Sequence, residues 1–491
     1  MKNNPTIYEI NTRVWIKRFS SNNGNLKLDQ VPEIFWKNLA DKGIDYVWLM
    51  GIWQNCSGSI EKYCFEDYLI KEYKSALKDF KHEDVIGSPY AINNYKINPD
   101  LGDLETIKRL RTILKKYDIK LILDFIPNHF NAESELIETN PEIFLNADES
   151  YHTDDSYTFY IPYNNKEVIL AHGRDPFFPA WEDTAQVNYF SNAAREFMIG
   201  NLIDIAEICD GVRCDMAMLA LNNIFKNTWG GVLKKMDYAK PETEFWAVAI
   251  QLVKNEFPEF LFIGEAYWDL EWNLQQLGFD FTYDKRLTDR LKSGNVRGIS
   301  EHLTADSLFQ TKSLRFIENH DEQRIAKELG KEASQASAVI MSTIQGMRFY
   351  HEGQFEGKRI KLPVQLGREP VEPPQPCFVN FYNKLFSITK HELFNNGIWK
   401  QLKSEAVGSS DSTFQNILCW QINYKDEIRV VIINYSQEES RGRIRLDVKG
   451  DNEIQLFDML NDQLYIREAL EVREDGLYIE LQPFHSHIFS L

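Results

Sequence analysis

Along most of the chain, short apolar runs alternate with stretches in which apolar residues recur three and four positions apart. The runs read as strands: "IYEINTRVWI" (7–16), "YVWLMGIW" (46–53), "KLILDFIP" (120–127), "DGVRCDMAM" (210–218), "FLFIGEA" (260–266), "FDFTYD" (279–284), "LRFIENHD" (314–321) and "MRFYHEG" (347–353). The stretches between them read as amphipathic helices, among them "LETIKRLRTILKKY" (104–117), "AAREFMIGNLIDIAEIC" (193–209) and "EFWAVAIQLVKNEF" (244–257). Eight strand signals separated by helical ones predict an α/β chain folded as a (β/α)8 TIM barrel.

Two segments break the alternation. From about Phe130 to Val187 the chain is too long and irregular for a helical connection, which predicts a small insertion domain after the third strand. From about Asn395 the pattern changes to short alternating runs such as "NILCWQIN", "IRVVIINY", "RIRLDV" and "SHIFSL", separated by polar turns, which predicts a C-terminal all-β sandwich. The expected organisation is therefore barrel over 1–129 and 188–394, insertion over 130–187 and β-module over 395–491.

The fourth strand contains an anomaly. In "GVRCDMAM" (211–218), Arg213 and Asp215 interrupt a segment otherwise fit for a core, and residues two apart on a strand share a face. In such barrels the chemistry sits at the C-terminal ends of the strands. Polar residues collect there: Asp124, Asn128 and His129 after the third strand, Arg213 and Asp215 on the fourth, Glu265 after the fifth, and Glu318, Asn319, His320, Asp321 and Arg324 after the seventh. Asp124 is expected to support the loop that carries His129. His351 and Glu352 either line the pocket or form a buried pair.

Three carboxylates on one rim, one beside an arginine, suit cleavage of a glycosidic bond. That reaction needs one carboxylate to attack or stabilise the anomeric carbon and a second, protonated, to supply the leaving oxygen, the two standing about 5–5.5 Å apart in retaining enzymes. Arg213 is expected to keep Asp215 ionised, while apolar neighbours Phe262, Ile263 and Tyr267 keep Glu265 protonated.

"DFIPNH", "GVRCDMAM", "FIGEAYW" and "FIENHD" resemble, in order, the four signature regions of the α-amylase family of glycoside hydrolases and transglycosidases. The resemblance extends to "GIDYVWLMGIW" (43–53), "SPYAINNY" (88–95) and "WEDTAQVNY" (181–189). It implies that Asp215 is the nucleophile of a β-glycosyl-enzyme, Glu265 the general acid/base and Asp321 the transition-state stabiliser. Arg213, His129 and His320 match residues around the sugar at the cleavage point, and Tyr90 matches a stacking tyrosine. The expected substrate is an α-1,4-glucan or maltooligosaccharide. Hydrolysis is the first expectation and transfer to a second sugar the alternative, because either acceptor can release the same intermediate. Many starch-cleaving members carry a Lys-His pair where this chain has Met218 and Leu219, which leaves acceptor binding open. Asn128, Asp175 and Asp183 lie where members often bind a structural calcium, so Ca2+ remains an open structural expectation, while the chemistry itself requires no cofactor.

Composition narrows the partners. A formal charge of −18 offers no basic surface for nucleic acid, and the basic run "KRLRTILKK" (108–116) has its apolar members at helical spacing, as a solvated helix face does. No stretch approaches a membrane span, and the start lacks a signal-peptide pattern, so a cytoplasmic location is expected. Six scattered cysteines without a CxxC pair read as thiols; a Cys56–Cys64 bridge has no support beyond proximity in sequence. Nothing in the chain bears on oligomeric state. A non-catalytic sugar-binding subunit on the same fold is disfavoured by retention of all three carboxylates, and metal-dependent hydrolysis by the lack of HxH or HExxH.

Overall fold

The computed structural model describes residues 2–19, 26–448 and 452–491. Each of the eight predicted runs supplies one strand: β1 (Thr6–Asn11), β2 (Tyr46–Met50), β3 (Lys120–Phe125), β4 (Gly211–Cys214), β5 (Leu261–Gly264), β6 (Phe281–Tyr283), β7 (Ser313–Arg315) and β8 (Met347–His351). They pair in parallel, each with its sequence neighbour, and β1 also pairs with β8 to close the barrel. Closure buries both faces of the sheet, which is why the strands read as nearly continuous apolar runs.

Alternation divides the two faces. Ile7, Trp48, Ile122, Ile263, Tyr283 and Phe349 fill the barrel interior, whereas Val47, Leu123, Val212 and Tyr350 face the surrounding helices. Gly211 opens β4 on the interior side, where an added Cβ would stand 2.6 Å from the Leu261 carbonyl, so only glycine lets β5 approach there. The three helices cited from the sequence form as Leu104–Lys115, Asn192–Ile208 and Phe245–Glu256. The first two are N-capped by Asp103 and Ser191, whose side chains accept from Thr106 N and Ala194 N.

Some strands are shorter than the runs suggest. The first ends at Asn11, and Thr12–Trp15 turns into a helix, burying Val14 and Trp15 without extending the sheet. The seventh ends at Arg315, which leaves His320 and Asp321 on the loop beyond it.

The insertion after β3 contains an antiparallel ladder of His129–Asn131 with Thr184–Gln186, and a three-stranded sheet of Asn146–Ala147, Phe159–Tyr160 and Ile169–Ala171. A further excursion, absent from the sequence expectation, lies between β2 and β3. It contains helix Asp67–Ala76 and a bulged pair of strands, Trp53–Asn55 with Ile92–Ile97, and it brings Tyr90 to the rim.

The C-terminal module has a six-stranded sheet, in the order Ile398–Gln401, Ile417–Tyr424, Glu427–Asn434, Ser486–Ser490, Glu453–Asp458, Gln463–Glu468, and a three-stranded sheet of Ser404–Glu405, Ser440–Ile444 and Leu477–Leu481. Ile417, Cys419, Val430 and Ile432 face the module's own core, while the intervening Leu418, Trp420, Val431 and Ile433 join the barrel's core. Tyr435 ties the two together: its hydroxyl donates to the Leu291 carbonyl at 2.9 Å and shares a 2.7 Å hydrogen bond with Ser337 Oγ. All six cysteines are free thiols. No helix among the described residues is long and apolar enough to cross a membrane.

Candidate active site

Parallel register sets the site. Arg213 on β4 stands opposite Asp124 on β3 and Ile263 on β5, and its guanidinium carbon lies 5.0 Å from the Trp48 ring centroid, 5.4 Å from Tyr90 and 5.5 Å from Tyr283. This aromatic collar and the walls of the barrel leave Arg213 only 1% exposed. Its three nitrogens take separate partners: Nη1 donates to Asp215 Oδ1 at 2.7 Å, Nη2 lies 2.8 Å from Glu265 Oε2, and Nε donates to Tyr283 OH at 3.1 Å. One planar fork thus spans the two buried carboxylates. Beyond Asp215 the chain turns through Met216 at φ 41°, a strained angle for a side-chain-bearing residue, and this turn aims the Met216 N–H at Glu265 Oε2, 2.7 Å away. Tyr267 OH donates to Glu265 Oε1 at 2.8 Å.

The third carboxylate arrives on the loop after β7. Asp321 Oδ2 is 3.0 Å from His320 Nε2, and its side chain is about half exposed, unlike the other two. Tyr90 OH is 2.8 Å from the same nitrogen, with its ring stacked on the imidazole at 5.4 Å between centroids. His320 Nδ1 meets Glu9 Oε1 on β1 at 2.5 Å. Behind Glu9 lies a buried polar layer in which Arg324 Nη1 contacts Glu318 Oε1 at 2.7 Å and His351 Nδ1 at 2.9 Å, while Arg18 reaches Glu352 at 2.6 Å. His351 and Glu352 therefore belong to a shared network and do not pair with each other.

Burial dominates the electrostatics. It lifts the Glu265 carboxyl to about 7, against the pull of Arg213 and with help from Asp215 and Asp321. Asp215 is also raised by burial, with Arg213 opposing. The expectation that Arg213 favours the ionised form of Asp215 alone is corrected by geometry: its fork serves both carboxylates, and burial raises both against its pull. Burial acts against charge on His320, but Asp321 and Glu9 on its two nitrogens outweigh it and raise the imidazole to about 10. Asp321 moves the other way, below the usual carboxylate range, because the His320 charge overcomes its desolvation.

The remaining predicted residues fall as follows. His129 is buried on the first strand of the insertion ladder, edge-on to Trp181 at 5.4 Å, and burial lowers it to about 4. Asp124 supports the end of β2, not the His129 loop: Trp48 Nε1 and Gly51 N donate to its oxygens at 3.0 and 2.8 Å. Met218 and Leu219 are both buried, Met218 within the apolar core that surrounds the barrel. Asn128 and Asp183 do not meet, and Asp175 is engaged by its own turn. The ladder places Asn128 beside Val187 and Asp183 beside Ala132, roughly 13 Å of strand apart, and Asp175 Oδ1 is occupied by the N–H groups of Phe177 and Phe178 at 2.6 and 2.9 Å. Among the described residues no group of three or more His, Cys, Asp or Glu is placed to hold a metal ion.

Sequence reasoning missed Glu9 and Tyr283. Glu9 carried the same signal as Arg213, a single charge inside an apolar strand. Tyr283 had none, since a tyrosine in a strand reads as core.

The sequence model described as "Alpha amylase, catalytic domain" matches residues 37–360. The chain is 22% identical to Alpha-amylase 2 of Dictyoglomus thermophilum over 383 residues, an alignment covering 70% of this chain and 60% of that one. Its fold is similar to that of a maltogenic α-amylase from Thermotoga neapolitana (TM-score 0.70, 20% identity, 100% of this chain and 99% of that one). It is likewise similar to an α-amylase from Geobacillus thermoleovorans solved with acarbose (TM-score 0.67, 18% identity, 100% and 98%). A family match over most of the barrel, on a chain whose eight strands close as that fold requires, means that this chain belongs to the α-amylase family.

Proposed function

We propose that this protein is a retaining α-glucan hydrolase that cleaves α-1,4-glucosidic bonds through a covalent β-glycosyl-enzyme. Asp215 attacks the anomeric carbon as the bond to the leaving oxygen breaks, and Glu265 gives its proton to that oxygen. Glu265, now ionised, then takes a proton from water; the water oxygen bonds to the anomeric carbon and Asp215 leaves. Asp321 and His320 hold the sugar hydroxyls, with Tyr90, His129 and Arg213 around the same ring. On this reading 1–129 and 188–394 form the catalytic barrel, 130–187 the insertion and 395–491 an accessory β-module.

The observation that carries the proposal is the single buried guanidinium bound to Asp215 at 2.7 Å and to Glu265 at 2.8 Å, which keeps two carboxylates within one residue's reach at the barrel mouth. The pKa of about 7 at Glu265 supports the acid role, because a general acid works best near the operating pH. Transfer to a second sugar is a related reading, favoured by aromatic surface beyond Glu265. Phe177 and Phe178 are 66% and 63% exposed, and Phe177 meets Trp268 edge-on at 4.9 Å, a surface on which an acceptor sugar can stack.

Maltooligosaccharides of defined length, incubated with the protein and resolved over time, test both readings. Shorter products released first as α-anomers are the expected result; longer products appearing alongside identify transfer. No cleavage, or release of β-anomers, overturns the proposal.

A further inference from the structure

The resemblance implies a calcium site that includes Asn128, at the junction between β3 and the insertion. Its oxygens are already engaged. Gln186, fully buried on the second strand of the insertion ladder, points its side-chain nitrogen at three oxygens at once: Asn128 O at 2.9 Å, Asn128 Oδ1 at 3.0 Å and Val187 O at 3.0 Å. Neither backbone carbonyl can donate, so the donor end of the amide has to face them. The Asn128 side chain is oriented from its other end by the 3.3 Å contact between Nδ2 and His129 Nδ1. Two N–H groups among three acceptors, one shared, do the work of a cation: they satisfy converging lone pairs at a buried position. Gln186 Oε1, on the far side, has no hydrogen-bond partner among the described residues. Turning the amide over would find Oε1 a place only by setting four oxygens face to face, an arrangement that itself demands a cation.

We propose that the Gln186 amide takes the place of the structural cation, so that the junction of β3 and the insertion is held by neutral hydrogen bonds and does not require calcium. The other two residues in the implied set agree with this: Asp175 caps its own turn and Asp183 lies at the opposite end of the ladder.

The test is the unfolding temperature of the full chain, measured after exhaustive chelation and again in millimolar calcium chloride. The same unfolding temperature in both is expected. A fall of several degrees on chelation, restored by calcium, overturns the proposal, because a ligand that binds only the folded state stabilises it by an amount that grows with the logarithm of its concentration relative to its dissociation constant. Two variants make the test positive as well as negative. Gln186→Glu replaces the donor with a fourth acceptor; it is expected to melt below the wild type in chelator and to regain stability as calcium is added. Gln186→Met, of similar volume and without donors, is expected to melt lower in both buffers with no response to calcium. Wild-type stability for Gln186→Met, or equal stability of Gln186→Glu and wild type in chelator, also overturns it. If Gln186→Glu does not fold, the wild-type comparison and Gln186→Met still decide.

Discussion

Replacing Arg213 by lysine separates charge from geometry at the centre of the site. The guanidinium makes hydrogen bonds of 2.7 and 3.1 Å to Asp215 and Tyr283 and an ion pair of 2.8 Å to Glu265, and it lies 5.0 Å from the Trp48 ring. A lysine ammonium keeps the positive charge but, as a point donor on a flexible stem, cannot span both carboxylates in one plane. One charge-assisted hydrogen bond is then lost, worth about 1.5–3 kcal/mol. Expressed fully in the transition state, that loss lowers kcat/KM about 10- to 150-fold. Arg213→Leu goes further: it leaves two buried carboxylates without their cation, a change of about 3–5 kcal/mol, and because Arg213 lowers both their pKa values, both rise. Asp215 then stays protonated to higher pH, so the acid limb of the rate profile moves toward neutrality as well as the maximum falling. Initial rates on a chromogenic maltooligoside across pH, with thermal unfolding to confirm that each variant is folded, measure both effects. A folded Arg213→Lys with kcat/KM close to wild type would mean that the bridge does not organise the reaction.

With Glu265 raised to about 7 and required in its protonated form, kcat/KM falls on the alkaline side, about tenfold per pH unit above that value, and Glu265→Gln removes this limb; a flat profile from neutral to pH 9 would contradict the acid role. Glu9→Gln deletes one of the two carboxylates that hold His320 charged. A histidine raised to about 10 in the folded state adds stability that is complete below its unfolded value of about 6.5 and is lost as pH rises to about 10, so the melting-temperature gap between wild type and Glu9→Gln should narrow over that window; a constant gap would assign Glu9 a packing role only. Tyr435→Phe removes hydrogen bonds of 2.9 and 2.7 Å that fasten the β-module to the barrel, lowering stability by about 1–3 kcal/mol with kcat/KM unchanged; equal loss of activity would show that the module shapes the site.

The barrel was legible because closure buries every strand twice, and a doubly buried strand advertises itself as an apolar run. The same logic exposed Arg213: a charge has no place in such a run unless a partner meets it, and for Arg213 the partners are the carboxylates at the barrel mouth, whereas Arg315 and Arg348 are met by Asp284 and the Phe394 carbonyl. What escaped the sequence was pairing at a distance. Arg213 and Asp215 are two residues apart and read as a pair, whereas the second carboxylate on the same fork comes from β5 and the collar from β2, β6 and the β2–β3 excursion. That excursion was itself passed over, because its helix Asp67–Ala76 reads like any other barrel connection. Strand Gln463–Glu468 was missed because it lies at a sheet edge with most side chains exposed and shows little apolar contrast. The spacing of the expected calcium set could not be read either: Asn128 and Asp183 flank paired strands at opposite ends of the ladder, and no spacing in the sequence announces which rungs face each other.

The central claim is that Asp215 bonds to the sugar. A fluorinated α-glucosyl fluoride, whose fluorine slows breakdown of a glycosyl-enzyme more than its formation, can hold that species long enough for intact-protein mass measurement and peptide mapping. The account predicts a mass increase of one fluorosugar, located on the peptide that contains Asp215. Attachment to Glu265 or Asp321, or rapid turnover of the reagent with inverted product and no attachment, would contradict it.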